Sequence, residues 1–470
     1  MDNKNGTARE HLGSRLGFIL LSAGCAIGVG NVWRFPSMTG ANGGAIFVLF
    51  YILFLIIMGL PVMTMEFSLG RAAQKSPAKL YQELEPKGTK WHIHGYASVI
   101  GNYILMMFYT VVSGWMLIYL VKAASGEFIN KNAAEVGAIN GEMMSDPVIM
   151  TIAMAVVVII GFLVCSFGLQ KGIERVTKFM MLALLAIMVG LAIYGLTLPG
   201  AGDGISFYLV PNLDSVAAVG GGSLFNGFVK VIIDAMTQAA FTLSLGIGSM
   251  AIFGSYLKKD RALLGEAVNV VALDTFVAFV AGLIIFPICF SYGVSTEGGP
   301  TLIFETLPLI FGQMDPIFGR ILGIIFFLFL SFAALSTIFA VFENIIACTS
   351  DIFKWGRKKS CLINGIALFF LSIPCVLGFN ILSGFTPLGE DTGVLDLEDF
   401  IVSYIMLPLG SLIFVLFCTR KCGWGWKNFR EEANTGKGLK FPNWLRFYVS
   451  YILPIIIFVL LVIGIVNTFI

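Results

Sequence analysis

Apolar residues run along this chain in eleven stretches, near 13–37, 41–70, 91–124, 148–167, 173–198, 225–256, 263–292, 318–349, 361–379, 399–419 and 446–470. A hydrocarbon core of about 30 Å takes about 20 apolar residues of helix, so each stretch predicts one membrane-spanning helix. Two of them carry sequences that oppose a continuous helix. The first holds Gly24-Cys-Ala-Ile-Gly28-Val-Gly30-Asn31 followed by Trp33-Arg34-Phe35-Pro36, and the sixth holds Phe241-Thr-Leu-Ser244-Leu-Gly246-Ile-Gly248. Glycine inside a helix costs about 1 kcal/mol relative to alanine, so the backbone is predicted to unwind in both. Lipid cannot satisfy the groups this frees. Such a break survives only where protein buries it or where it lines a polar cavity and offers its carbonyls to an ion or a substrate.

The two breaks lie five spans apart, which predicts two halves of inverted topology. Spans 1–5 (12–200) form the first repeat and spans 6–10 (222–422) the second. A segment and span 11 (423–470) lie outside both, and the whole chain, 1–470, forms one transporter domain. The expected fold class is an all-α polytopic membrane protein with broken spans 1 and 6.

Charge orients this array. Lys and Arg gather in the N-terminal segment and in 71–90, 171–178, 258–261, 354–359 and 420–446, whereas 199–224 and 380–398 contain none. The excess of Lys and Arg on cytoplasmic loops therefore puts the N-terminus in the cytoplasm and, after eleven crossings, the C-terminus outside a plasma (inner) membrane. Composition agrees: only 12% of the residues are charged, against roughly 25% in a soluble domain. The eight cysteines show no paired spacing in an external loop and imply no disulfide framework. The polar N-terminus has no small-residue cleavage site and implies no removable signal peptide. The stretch 420–445, with Trp424 and Trp426, is expected to lie at the interface against anionic lipid. The outer segments 125–147 and 293–317 are candidate lids.

Several motifs together resemble the neurotransmitter:sodium symporters. They are Gly24-x-Ala26-x-Gly28-x-Gly30-Asn31-x-x-Arg34-Phe35-Pro36, Asn42-Gly43-Gly44, Gly59-x-Pro61 with Glu66 and Gly70-Arg71, Lys171-Gly-Ile-Glu-Arg175, Phe241-Thr-Leu-Ser-Leu-Gly246 and Ser255-Tyr256. The likeness covers all ten core spans and points to the bacterial amino-acid members. It implies sodium-coupled symport of an amino acid, two sodium ions, a lipid bilayer as surroundings and no nucleic-acid ligand; the oligomeric state stays open. Sodium is a hard cation that prefers oxygen ligands. By resemblance one sodium would be held by the Ala26 carbonyl, Asn31, Thr242, Asp274 and a carboxylate oxygen of the substrate. The second would be held by the carbonyls of Gly24, Ile27 and Ala333 and the hydroxyls of Ser336 and Thr337.

The substrate would lie against Ala26, Val29, Gly30, Leu105, Tyr109, Phe241, Thr242, Ser244, Ile247, Thr337 and Val341. Relatives that carry amines have aspartate where this chain has Gly28, so the resemblance implies a cargo that brings its own α-carboxylate. Ile247 and Val341 are smaller than their counterparts in the leucine-carrying relative, which predicts room for a bulky apolar or aromatic side chain, with tyrosine favoured. Asp274 stands where chloride-dependent relatives have asparagine. A fixed carboxylate there implies transport without chloride. Arg34 and Asp399 match the family's outer gate, and Arg9, Asp351 and Tyr256 its inner one. Glu66 is implied to accept hydrogen bonds from the broken span 6.

Three departures accompany these matches. Leu12 replaces a tryptophan of the N-terminal motif, Leu182 replaces a proline of span 5, and the twelfth span is absent. The alternatives are a symporter of smaller aliphatic amino acids such as leucine, or a non-transporting amino-acid sensor on the same scaffold. A channel would need a continuous pore with repeated weak sites rather than deep sites gated on both sides. A redox enzyme would need intramembrane ligands, and His11, His92 and His94 all fall at the predicted cytoplasmic ends. No enzyme chemistry is expected.

Overall fold

The computed structural model describes residues 12–294, 296, 299–390 and 392–469. The described residues form helices joined by turns, with nine helices long and apolar enough to cross a membrane, or up to eleven crossings if each of two bent pairs is one. Span 1 is Arg15–Ala26 with Gly30–Ala41, span 2 Ala45–Ala73, span 3 His92–Ser125, span 4 Pro147–Ser166 and span 5 Leu169–Leu196. Span 6 is Leu224–Thr242 with Ser249–Gly254, span 7 Leu263–Ser291, span 8 Pro316–Phe353, span 9 Arg357–Leu377, span 10 Val394–Thr419 and span 11 Asn443–Val466. All begin and end within a few residues of the apolar runs.

Both breaks fall on the glycine clusters. In span 1 the helix starts at Ser14, whose side chain accepts from the Gly17 amide, and stops where Ile27 turns extended (φ −74°, ψ 98°). The two halves meet at 58°. In span 6 the helix ends at Thr242, and the chain then passes through φ of 50° at Ser244, 102° at Gly246 and 74° at Gly248. Gly246 answers two demands, since a Cβ there would also lie 2.1 Å from the Leu407 carbonyl oxygen. A further bend of 85° joins Leu213–Val219 to span 6.

Six wide π-helical turns occur among the described residues, five in the spans and one in the helix Leu302–Gln313, and five of the six end two residues before a proline: Pro36, Pro61, Pro308, Pro408 and Pro454. Proline has no N–H for the carbonyl four residues earlier and its ring crowds that carbonyl, so the turn before it widens. The exception is Leu169–Glu174 at the start of span 5, entered through Gly168 at φ 95°.

Spans 3 and 8 pack along one another, and the first half of span 1 lies against spans 7 and 8. At the end of the molecule poor in Lys and Arg lies the shorter apolar helix Leu302–Gln313. Its Phe304 packs edge-on against Trp33 and Trp115, with ring centroids 5.9 and 5.8 Å apart.

The basic end holds a difference from the sequence reading. Part of the stretch expected to lie on lipid folds back onto the protein instead: Phe429 and Phe441 are fully buried, while Trp444 stays 77% exposed. The buried Arg71 guanidinium explains this. Its Nε donates to Glu432 Oε1 at 2.6 Å and its Nη1 to the Arg261 carbonyl at 2.6 Å. Backbone bonds of 2.9 Å from Lys437 to Asp260 and from Ala262 to Lys437 complete the dock. Satisfying a buried charge on span 2 thus outweighs leaving the segment at an interface.

Candidate substrate and ion site

Asp274, in the middle of span 7, is fully buried. Its Oδ1 accepts from Asn31 Nδ2 at 2.8 Å, both its oxygens lie 3.3 Å from the Thr242 hydroxyl, and Tyr51 donates to Oδ2 at 3.4 Å. Asn31 lies just past the first break and Thr242 at the edge of the second, so the two interruptions converge on one carboxylate. The Asn31 side-chain oxygen accepts from the Gly28 amide at 3.2 Å. Among the described residues no basic side chain comes within 4 Å of Asp274 in an ion pair. An isolated carboxylate at this depth is expensive, and the surrounding oxygens of Asn31 and Thr242 suit a hard cation.

A second cluster joins span 1 to span 8. The Thr337 hydroxyl lies 3.1 Å from the Gly24 carbonyl and 3.3 Å from that of Ile27. The Ser336 hydroxyl lies 2.8 Å from the Ala333 carbonyl and 3.4 Å from that of Ile27. Two hydroxyl protons cannot serve four such approaches at once. Five oxygens therefore converge with fewer donors than acceptors, an arrangement that accommodates a cation. The 2.8 Å contact also keeps Ser336 back-bonded within its own helix, which a hydroxyl in any membrane span can do; the reach to Gly24 and Ile27 in span 1 goes beyond that.

Between these clusters lies a cavity lined by Ala26, Gly30, Leu105, Tyr109, Phe241, Thr242, Ser244 and Thr337, all anticipated, together with Cys25, Gly28 and Leu407. The Tyr109 hydroxyl accepts from the Val29 amide at 3.1 Å, so a backbone group freed by the break is already engaged there. A Cβ on Gly28 would sit 2.4 Å from the Tyr109 hydroxyl and 2.7 Å from that of Thr337. No side chain fits unless those groups move. Phe241 closes one side, held between Gly30 and the Arg34 guanidinium 4.2 Å from its ring centroid.

Ile247, Val341 and Val29 are buried but do not line this cavity, and Ile247 lines a different groove beside Met406. Leu407, which sequence matching passed over, takes a place in the lining because the wide turn before Pro408 and the close approach of Gly246 bring span 10 against the second break.

At the outer end Arg34 and Asp399 form no ion pair within 4 Å; Asp399 accepts from Ser403 at 2.6 Å, while Nη1 of Arg34 is buried without a hydrogen-bond partner among the described residues. At the basic end Asp351 accepts from the Ser76 amide at 2.8 Å, and Arg9 lies outside the described residues. Tyr256 donates to Glu343 at 2.6 Å. Glu343 in turn holds Arg357 at 2.5 and 3.2 Å. This pair was missed in the sequence, although a lone glutamate within the apolar run of span 8 is a readable signal of an intramembrane partner. Glu66 accepts from the Gly246 amide at 2.6 Å and so satisfies part of the second break.

The comparisons with known proteins follow this geometry. The model of the sodium:neurotransmitter symporter family matches residues 9–131 and 123–469. The sodium-dependent transporter YhdH of Bacillus subtilis is 36% identical over 459 residues, 97% of this chain and 98% of its own length. A sodium-dependent transporter of Haemophilus influenzae is 30% identical over 97% of this chain and 98% of its own. The crystal structure of MhsT in complex with L-phenylalanine superimposes with a TM-score of 0.85 at 36% identity, covering 97% of this chain and all of that one. Broken first and sixth spans, two oxygen clusters and these likenesses lead to one conclusion: the chain belongs to the sodium:neurotransmitter symporter family, as a multi-pass, sodium-dependent membrane transporter and not an enzyme.

Proposed function

We propose that the protein carries a bulky apolar or aromatic L-amino acid into the cell together with two sodium ions, by alternating access and without chloride. The observation that carries this reading is Asp274, a buried carboxylate joined to both broken spans through Asn31 and Thr242 and free of any basic partner among the described residues. One sodium neutralises it there, with the Ala26 carbonyl and the substrate carboxylate completing the shell. The second sodium sits among Gly24, Ile27, Ala333, Ser336 and Thr337. A fixed negative charge in span 7 supplies what a bound chloride would otherwise supply.

The substrate α-carboxylate lies between the first sodium, the amides around Val29 and Gly30 and the Tyr109 hydroxyl. Its side chain faces Leu105, Phe241, Ser244 and Thr337. Sodium entering from outside ties spans 1 and 6 to spans 7 and 8, the substrate completes the first site, and Phe241 with Arg34 and Asp399 closes above it. Release follows at the basic end, which faces the cytoplasm, when Arg9, Asp351 and Tyr256 part. Groups that pair only while wet separate at small cost, which suits a gate.

Aromatic cargo is supported by the likeness to MhsT, whose crystal structure contains L-phenylalanine. Smaller aliphatic cargo such as leucine is the second reading, favoured by the absence of Ile247 and Val341 from the cavity lining. Uptake into proteoliposomes of labelled phenylalanine, tyrosine and leucine, with sodium against potassium and chloride against gluconate, tests both. Uptake that needs sodium, persists in gluconate and ranks the aromatic substrates first agrees with the proposal; collapse in gluconate removes the role given to Asp274.

A further inference from the structure

A groove of about 330 Å³ opens on the membrane-facing side of the molecule between the start of span 3 and span 10. Its walls are Ile93 and Ala97 on one side and Met406, Leu409 and Ile413 on the other, and its floor is Gly246–Ile247, the backbone of the second break. Ile93 and Leu409 are 58% and 41% exposed, so the walls continue into the apolar outer surface. Apart from the buried His94 and Ser98 the groove's lining side chains are apolar along its length, and its positive charge is Lys90. Lys90 lines it at the mouth beside Trp91, whose indole donates to the Cys422 carbonyl at 2.8 Å. The nearby carboxylate Glu85 is bound to His92 at 2.6 Å.

The inner end of the groove adjoins the substrate cavity. Met406 lines the groove and Leu407 the cavity; Ile247 lines the groove and Ser244 the cavity. A Cβ on Gly101 would lie 3.0 Å from both Ile247 and Met406, so these two side chains meet over a bare turn of span 3. Asn102 holds Ile247 in place by donating to its carbonyl at 2.8 Å.

We propose that this groove binds an anionic phospholipid, with one acyl chain along Ile93, Ala97, Leu409 and Ile413 and the headgroup phosphate on the Lys90 ammonium. Charge complementarity decides the occupant: an apolar trough with a lysine at the membrane interface fits a chain that ends in a net negative headgroup, whereas a zwitterionic one gains less there. Resting on the proposed transport reading, the seated chain backs Ile247 and Met406 and so limits how far the cavity wall yields to a substrate side chain.

The test is quenching of Trp91 by lipids brominated on the acyl chain, in nanodiscs of phosphatidylglycerol or phosphatidylcholine. Trp91→Phe, which keeps a ring against Phe417, supplies the background of the other tryptophans. Brominated phosphatidylglycerol is expected to occupy the groove about fivefold more readily than brominated phosphatidylcholine, the preference one lysine supplies near an anionic headgroup. That preference is lost in Lys90→Gln and kept in Lys90→Arg. Equal quenching by the two lipids, or an unchanged preference in Lys90→Gln, overturns the proposal. Quenching needs no transport, so its failure is distinguishable from a failure of symport.

Discussion

Asn31 donates its side-chain amide to Oδ1 of Asp274 across 2.8 Å, fastening the broken first span to the middle of the seventh. The contact lies within a fully buried set that also takes in Thr242 and Tyr51. Whatever cation enters this set is held by residues from three spans, so its binding is tied to how those spans sit relative to one another.

Replacing Asp274 by asparagine keeps the shape and removes the charge. A buried cation that loses the one anionic partner the protein itself supplies is destabilised by roughly 3 kcal/mol or more. Half-maximal uptake is expected to need at least tenfold more sodium, read from sodium titrations of uptake in the two forms.

Thr337→Val preserves volume but withdraws an oxygen that lies 3.1 Å from the Gly24 carbonyl and 3.3 Å from that of Ile27. Val and Thr are not equivalent because of that hydroxyl. The sodium dependence of substrate binding is expected to weaken and its Hill coefficient to fall from near two toward one. A coefficient unchanged at two would remove Thr337 from the second site.

Gly28→Asp does not convert the protein into an amine carrier. The new Cβ would lie 2.4 Å from the Tyr109 hydroxyl, so the residue that receives the Val29 amide must move. Phenylalanine binding is expected to be lost, and Gly28→Ala to lose most of it through the same collision, as measured by scintillation proximity.

Glu432→Gln leaves the buried Arg71 guanidinium with neutral partners only. Removing one member of a buried pair costs about 3 kcal/mol or more. The variant is expected to unfold at a lower temperature in detergent, and limited proteolysis to cut 426–441 sooner than in the parent chain.

Residues differ in how far their surroundings were legible along the chain. Gly24, Gly28, Gly30, Gly246 and Gly248 announced both breaks because helix formation is local and glycine weakens it locally. The oxygen clusters were legible for the same reason: the free carbonyls lie next to the glycines, and Ser336 and Thr337 stand side by side in one span. Ile247 follows Gly246 at φ 102° and precedes Gly248 at φ 74°, where helical periodicity no longer says which way a side chain points, and it lines the groove beside Met406. The docking of 426–441 was illegible because it depends on Arg71, some 360 residues away, and charge composition along a segment does not reveal a distant buried partner. The wide turns were written in Pro36, Pro61, Pro308, Pro408 and Pro454, whereas the one at Leu169–Glu174 has no such mark.

The central claim is that the substrate's own carboxylate joins the cation held by Asn31, Thr242 and Asp274. Equilibrium binding of phenylalanine and of phenethylamine, its counterpart without the carboxylate, in sodium and in potassium tests this most directly. Phenylalanine is expected to bind tightly in sodium alone, phenethylamine to bind in neither, and Asn31→Ala to weaken sodium and phenylalanine together. Phenethylamine binding as tightly as phenylalanine, or phenylalanine binding equally in sodium and potassium, would contradict the claim.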